Sequence, residues 1–187
     1  MPLMVVGTQD AHPSQRPNSV ALGIDPGLHR TGYALLRGQP PALTLVEAGL
    51  VRLDRRRSLA CRLADLQRDL ASILSAHAPG LVVVEQLYAH YKHPRTAILM
   101  GHARGVILAL AAARGLPIVD VPATFVKKLL TGSGHADKAQ MQRAVAAALG
   151  LTSLPEPHDV ADAMAIALAG LHRAGAGRRS LVAGARA

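Results

Sequence analysis

Leu81-Val82-Val83-Val84 is an unbroken apolar run, mostly β-branched, and it ends in Glu85. Such a run suits a strand buried on both faces, which requires a sheet with helices on each side. The acid at its end is costly, because a carboxylate closing a buried strand loses hydration unless it is paired or binds a cation. The pattern recurs in Gly23-Ile24-Asp25-Pro26-Gly27, where a second apolar run ends in Asp25. A third segment, His158-Asp159-Val160-Ala161-Asp162, opens a hydrophobic helical pattern with Asp159 and Asp162 at i and i+3. These two acids share a helix face and repel each other by roughly 0.2–0.5 kcal/mol. Four acids gathered at element ends are best explained by a divalent metal, which points to metal-dependent phosphoryl chemistry.

The rest of the chain supplies the sheet and its helices. Ser19–Ile24, Gly32–Arg37 and Leu43–Arg52 read as three strands with short connections, an antiparallel meander. Leu59, Leu63, Leu66, Leu70, Ile73 and Leu74 recur at helical spacing within Ser58–His77. After the Leu81–Val84 strand, Pro94–Arg114 reads as a long Ala-rich helix, Pro117–Val121 as a strand and Pro122–Leu130 as a short helix. Asp137 is placed to cap a helix with Gln140 three residues on, and that helix stops near Gly150. A last helix runs from about His158 to His172. The order βββαβαβααα gives an α/β fold, a mixed sheet with helices on its faces. Residues 1–18 read as a disordered leader, 19–173 as one domain and 174–187 as a basic flexible tail.

The chain has 187 residues and a formal net charge of +9, which suggests a polyanionic partner. A generally basic surface is the bland alternative. Aromatics are only 2% of the chain, so the core is mainly Ala, Leu and Val. The single cysteine, Cys61, excludes an intramolecular disulfide. No apolar run approaches the length of a membrane span. The start, Met1-Pro2-Leu3-Met4-Val5-Val6, lacks a basic region followed by a long apolar one, and a cytoplasmic location is expected.

Each acid also has a plain structural reading. An Asp in a strand-to-turn segment is structural about as often as functional, and a Glu capping a strand is often simply solvated. Acids at a helix N-terminus favour the dipole by roughly 0.3–1 kcal/mol, which explains Asp159 better than Asp162. Ala161, Ala163 and Ala165 let the last helix approach the sheet closely, which would bring its acids to the strand ends.

Taken in order, the motifs resemble the RuvC-type Holliday-junction resolvases of the ribonuclease H-like superfamily. The matching text is Gly23-Ile24-Asp25-Pro26-Gly27, Thr31-Gly32-Tyr33, Val84-Glu85-Gln86, Gly101-His102-Ala103-Arg104-Gly105-Val106, Val126-Lys127, Gly132-Ser133-Gly134, Lys138, and Asp159-Val160-Ala161-Asp162-Ala163-Met164-Ala165-Ile166-Ala167. The resemblance covers about residues 19–173 and implies a five-stranded mixed sheet flanked by helices. It implies that Asp25, Glu85, Asp159 and Asp162 hold two Mg²⁺ ions, with Mn²⁺ as a substitute, and that Asp25 is shared between them. It matches Tyr88 to an aromatic that stacks on an unpaired junction base, and Lys127 and Lys138 to lysines near the scissile phosphate. The family has His or Asp at the first position of its last motif. His158 directly precedes Asp159, and is a phosphate contact or a plain helix-start residue. His135, in the Gly-Ser-Gly-His loop, touches DNA or nothing.

Arg55, Arg56 and Arg57, with Arg52 and Arg62 close by, form a charge run that is either a solvated face or a contact to the DNA backbone. The resemblance further implies a homodimer through the Pro94–Arg114 helix, a four-way junction substrate and a RuvA/RuvB-like branch-migration helicase as partner. Three competing readings were weighed on the same residues. An RNA-processing nuclease of the YqgF-like kind would be shorter, without the full Glu85–Tyr88 and Gly132–Lys138 context. A sugar-kinase or actin-like ATPase needs two such domains, for which the chain is too short. A DNA-binding module without activity would not need all four acids.

Overall fold

The structure is a computed structural model and describes residues 20–87 and 94–184. The elements follow the expected order: β1 (Val20–Asp25), β2 (Arg30–Gln39), β3 (Ala42–Arg52), α1 (Leu59–His77), β4 (Leu81–Glu85), α2 (Pro94–Ala112), β5 (Ile118–Val121), α3 (Ala123–Thr131), α4 (Lys138–Leu149) and α5 (His158–Gly184). They form one five-stranded sheet in the order β3-β2-β1-β4-β5. The β1–β2 and β2–β3 pairs are antiparallel, while β1–β4 and β4–β5 are parallel. The C-terminal ends of β1 and β4 therefore lie side by side, where open α/β sheets usually carry their sites.

Both faces of the sheet are covered. Val82 and Val84 pack with Leu22, Ile24 and Leu35 against Leu66 and Leu70 of α1 and Ile107 of α2. Leu81 and Val83 point the other way, into a cluster with Val126 of α3, Val145 of α4 and Ala163 to Ala169 of α5. Alternation along a strand buried on both sides explains the unbroken apolar run.

Helix α5 crosses β2 and β1 at very close range. A Cβ built at Gly32 would stand 2.0 Å from the Asp159 carbonyl oxygen, and one at Gly23 would stand 2.4 Å from that of Ala163. The close approach therefore depends on glycines in the strands as well as on the small side chains of the helix. It fixes the first turn of α5 over the end of β1.

Some boundaries differ from expectation. β2 is longer at both ends because its exposed polar termini, Arg30 and Gln39, still pair with β3. α5 continues past His172 to Gly184, so the tail expected from residue 174 is helical through Gly184. Helical hydrogen bonds are local, so a helix can run on past its apolar stripe.

Candidate active site

Asp25 closes β1 opposite Gly32 of β2. The loop after it is tied by Thr31, which is fully buried: its hydroxyl donates to the Gly27 carbonyl at 2.7 Å and accepts from the Gly27 N–H at 3.2 Å. Glu85 closes β4 and pairs with Val121 of β5. Asp159 lies in the first turn of α5 and Asp162 follows it at i+3. The sheet ends and the helix start thus bring all four expected acids into one region.

Their charges act on one another. The Asp25 carboxyl is pushed up from 3.8 to about 8, first by burial, then by the charges of Glu85, Asp162 and Asp159, with Lys138 opposing. Burial and then Asp162 push Glu85 up, against Lys127. Asp162 is raised by burial and by Asp159, while Lys138, His158 and Lys127 pull it down. Asp159 faces the β1–β2 turn, where Arg30 Nε stands 3.3 Å from its Oδ2. A cavity of about 240 Å³ opens beside the acids, lined by Glu85, Lys127, Asp137, Lys138 and Asp162 over an apolar wall that includes Val126.

The donor set fits a hard divalent cation. Among the described residues, no side chain donates a hydrogen bond or an ion pair to the Asp25, Glu85 or Asp162 carboxylates within bonding distance. Nor, among those residues, do three His, Cys, Asp or Glu groups stand close enough about one point to hold an ion unaided. Mg²⁺ tolerates openness because it keeps several waters and takes substrate oxygens alongside one or two carboxylates. The acids that would hold it are Asp25, Glu85, Asp159 and Asp162.

The other expected residues divide. Lys127 on α3 and Lys138 at the start of α4 line the cavity. Lys138 is held there by a capping box in which Asp137 Oδ1 accepts from the Gln140 N–H at 2.8 Å and Gln140 Oε1 accepts from the Asp137 N–H at 2.9 Å. His158 is the exposed first residue of α5 and acts on Asp162 only through its charge. His135 is exposed in the loop before α4, its N–H donating to Ser133 Oγ at 3.2 Å. The arginine run is not one free face. Arg56 forms an ion pair with Asp54 at 3.0 Å, and Arg57 is paired with Asp65, which also holds Arg68 at 2.8 Å. Arg55 is exposed and lies near His29, whose imidazolium it disfavours together with burial. Tyr88 lies outside the described residues.

Two residues that the sequence did not single out for the site also touch its acids. One is Arg30, beside Asp159. The other is Arg104, whose Nε donates to the Glu85 carbonyl at 3.3 Å.

Comparison with known proteins shows the family. Residues 21–170 match the family model described as crossover junction endodeoxyribonuclease RuvC. The chain is 50% identical over 167 residues to the crossover junction endodeoxyribonuclease RuvC of Rhodopirellula baltica, covering 88% of this chain and 93% of that protein. It is 43% identical over 152 residues to the protein of the same name from Gloeobacter violaceus, covering 80% and 86%. The structure of Thermus thermophilus RuvC in complex with a Holliday junction substrate superposes with a TM-score of 0.77 at 29% identity, covering 84% of this chain and 96% of that one. The chain belongs to the RuvC family of crossover junction endodeoxyribonucleases.

Proposed function

We propose that the protein is a metal-dependent endonuclease that resolves four-way DNA junctions by paired symmetric nicks during recombination and repair. The observation that carries it is the gathering of Asp25, Glu85, Asp159 and Asp162 at the adjoining ends of β1, β4 and α5, in a chain of this family. Two Mg²⁺ ions per site, with Mn²⁺ able to replace them, are the proposed cofactors. When bound, such cations supply Lewis-acid charge at the scissile phosphodiester.

The chain's own residues do the rest. Asp25, Glu85, Asp159 and Asp162 provide the anionic seat. Lys127 and Lys138 line the same cavity and offset part of that charge, so that a DNA phosphate can approach. His158 acts on Asp162 through charge, in the same sense as the two lysines. Hydrolysis leaves 5′-phosphate and 3′-hydroxyl ends. Tyr88 stacks on a base at the opened centre, and Arg55 contributes to backbone contact.

Cutting two strands calls for two sites. The exposed side of α2 suits a homodimer: Ile98 is 61% exposed, and a Cβ added at Gly101 or Gly105 would meet nothing within 4 Å. A two-fold axis there would match the pseudo-symmetry of a four-way junction. A RuvA/RuvB-like branch-migration helicase is the proposed partner. No helix among the described residues is long and apolar enough to cross a membrane. A cytoplasmic location is part of the proposal.

The test is cleavage of a synthetic four-way junction and of a linear duplex of the same sequence with Mg²⁺. Paired nicks in the junction and little cutting of the duplex are expected. Equal rates on both substrates would overturn the resolvase reading.

A further inference from the structure

The backbone at the end of β4 is held by a side chain from α2. The Glu85 carbonyl oxygen accepts from Arg104 Nε at 3.3 Å. The same guanidinium turns Nη2 onto the Asp120 carboxylate of β5 in a close ion pair. Asp120 pairs with Val84, one residue before Glu85 pairs with Val121. One fork-shaped group therefore spans the ends of two neighbouring strands. Asp120 is fixed from the other face as well, because its carbonyl accepts from Arg173 Nη1 of α5 at 2.9 Å.

Glu85 has reason to need this anchor. Its pairing to β1 stops one residue earlier, at Ile24↔Val84, so β1 does not hold it. Its carboxylate is repelled by Asp162 and lies in the cluster around Asp25. Sheet bonds on the β5 side and the Arg104 fork are what resist that repulsion at the strand end. Arg104 is poorly placed as a DNA contact, since its side chain is 19% exposed and both Nε and Nη2 are engaged within the protein.

We propose that Arg104 is a positioning residue that fixes the backbone of Glu85 and so aims its carboxylate into the acid cluster. The proposal rests on the reading of Glu85 as one of the cation-holding acids. Arginine is required because two donors at a fixed angle reach a carbonyl and a carboxylate together, whereas a lysine ammonium is a single point on a flexible stem. Groups that orient metal-holding side chains commonly change metal affinity or activity by about 10–100-fold when altered.

The test is Arg104→Lys in the full chain. Three readouts are needed: Mn²⁺ affinity by electron paramagnetic resonance, junction affinity, and the single-turnover cleavage rate of pre-bound junction. Mn²⁺ binding and the cleavage rate are each expected to fall about tenfold, with junction affinity within about twofold of the parent. In a Glu85→Gln background the same change is expected to cost no further Mn²⁺ affinity, because the group it positions is gone. Parental Mn²⁺ affinity in Arg104→Lys, or an equal loss in both backgrounds, would overturn the proposal. If Arg104→Lys unfolds early, Asp120→Asn carries the same measurements. It weakens the fork and leaves Arg104 in place, and a loss of about threefold is expected. If Glu85→Gln alone binds Mn²⁺ and cuts like the parent, the site reading fails, and the role of Arg104 with it.

Discussion

Arg30 Nε stands 3.3 Å from Asp159 Oδ2 and so joins the β1–β2 turn to the first turn of α5. The pair is open to water, with side-chain exposures of 50% and 30%. A pair this exposed contributes at most about 1 kcal/mol to stability. Its larger effect is on the site, because the guanidinium competes with any cation for Asp159. Arg30→Ala is expected to leave the unfolding free energy within about 1 kcal/mol and to tighten Mn²⁺ binding roughly two- to threefold. Unchanged Mn²⁺ affinity with a clear loss of stability would make Arg30 a structural pin only.

Neutralising any one of the four acids should stop cleavage without releasing DNA. Asp25→Asn, Glu85→Gln, Asp159→Asn and Asp162→Asn each remove a cation-holding carboxylate but leave Lys127, Lys138 and the net charge of +9 almost as they were. Each variant should bind a four-way junction with affinity near the parent's and cut it at least about 10²-fold more slowly. Binding by gel shift and cleavage in Mg²⁺ are the paired measurements. A variant that cuts at the parental rate removes its residue from the site.

The pH dependence of stability should reverse its usual sense when divalent ions are absent. Asp25 ionises near 3.8 in the unfolded chain, whereas burial and three neighbouring acids push it to about 8 in the folded state. Between those values the folded protein holds a proton that the unfolded chain has lost. Stability from this group is therefore full below about pH 4 and lost as pH rises through about 8. Glu85 and Asp162 are shifted in the same direction and add to the trend. In EDTA the denaturant midpoint should be lower at pH 8.5 than at pH 5.5. Saturating Mg²⁺ should close that gap, since metal binding releases protons. In Asp25→Asn the gap should shrink, with a gain of roughly 1–3 kcal/mol at pH 8.5. A parent that is more stable at pH 8.5 than at pH 5.5 in EDTA would contradict the upward shift of Asp25.

How far the sequence shows the site depends on how local each signal is. The Leu81–Val84 run and its terminal Glu85 announce a covered strand with an acid at its end, because burial pattern and chain order are both local. The capping box of Asp137 and Gln140 is local too, and it forms as read. The partners of Arg30 and Arg104 are not local. Nothing near Arg30 in the chain announces Asp159, and nothing near Arg104 announces the Glu85 carbonyl or Asp120. Only the sheet order β1-β4-β5 and the crossing of α5 bring them together. The arginine run shows its charge in the sequence but not its partners: Asp54 pairs with Arg56 and Asp65 with Arg57. The sequence reading ends the last helix at about His172, whereas α5 continues to Gly184.

The seating of α5 can be disturbed without touching an acid. A methyl group at Gly32 would stand 2.0 Å from the Asp159 carbonyl oxygen and 2.7 Å from its carbon, so backbone must move. Gly32→Ala should therefore lift the start of α5 and carry Asp159 and Asp162 away from Asp25. Expected results are a stability loss of about 2–4 kcal/mol and a cleavage rate that stays low even where the variant is fully folded. Gly175→Ala, where a Cβ meets nothing within 4 Å, is the control and should keep the fold and the cleavage rate of the parent. Normal cleavage by folded Gly32→Ala would show that the acids do not depend on this contact.

Charge and shape should separate in DNA binding. A net charge of +9 favours salt-sensitive binding to any duplex, because counterions released from phosphates dominate affinity. Charge alone does not distinguish a four-way junction from a linear duplex. Selection must come from the geometry of a dimer and from groups that exploit an opened centre, the role proposed for Tyr88. Base–aromatic stacking is worth roughly 1–3 kcal/mol, and it needs the ring rather than the hydroxyl. Tyr88→Ala should bind DNA with a salt slope close to the parent's and cut junctions roughly tenfold or more slowly. Tyr88→Phe should keep most of the activity. Salt titrations of binding beside single-turnover cleavage make the comparison. Tyr88→Ala cutting at the parental rate would leave Tyr88 as a packing residue, and a changed salt slope would make it part of the phosphate-binding surface instead.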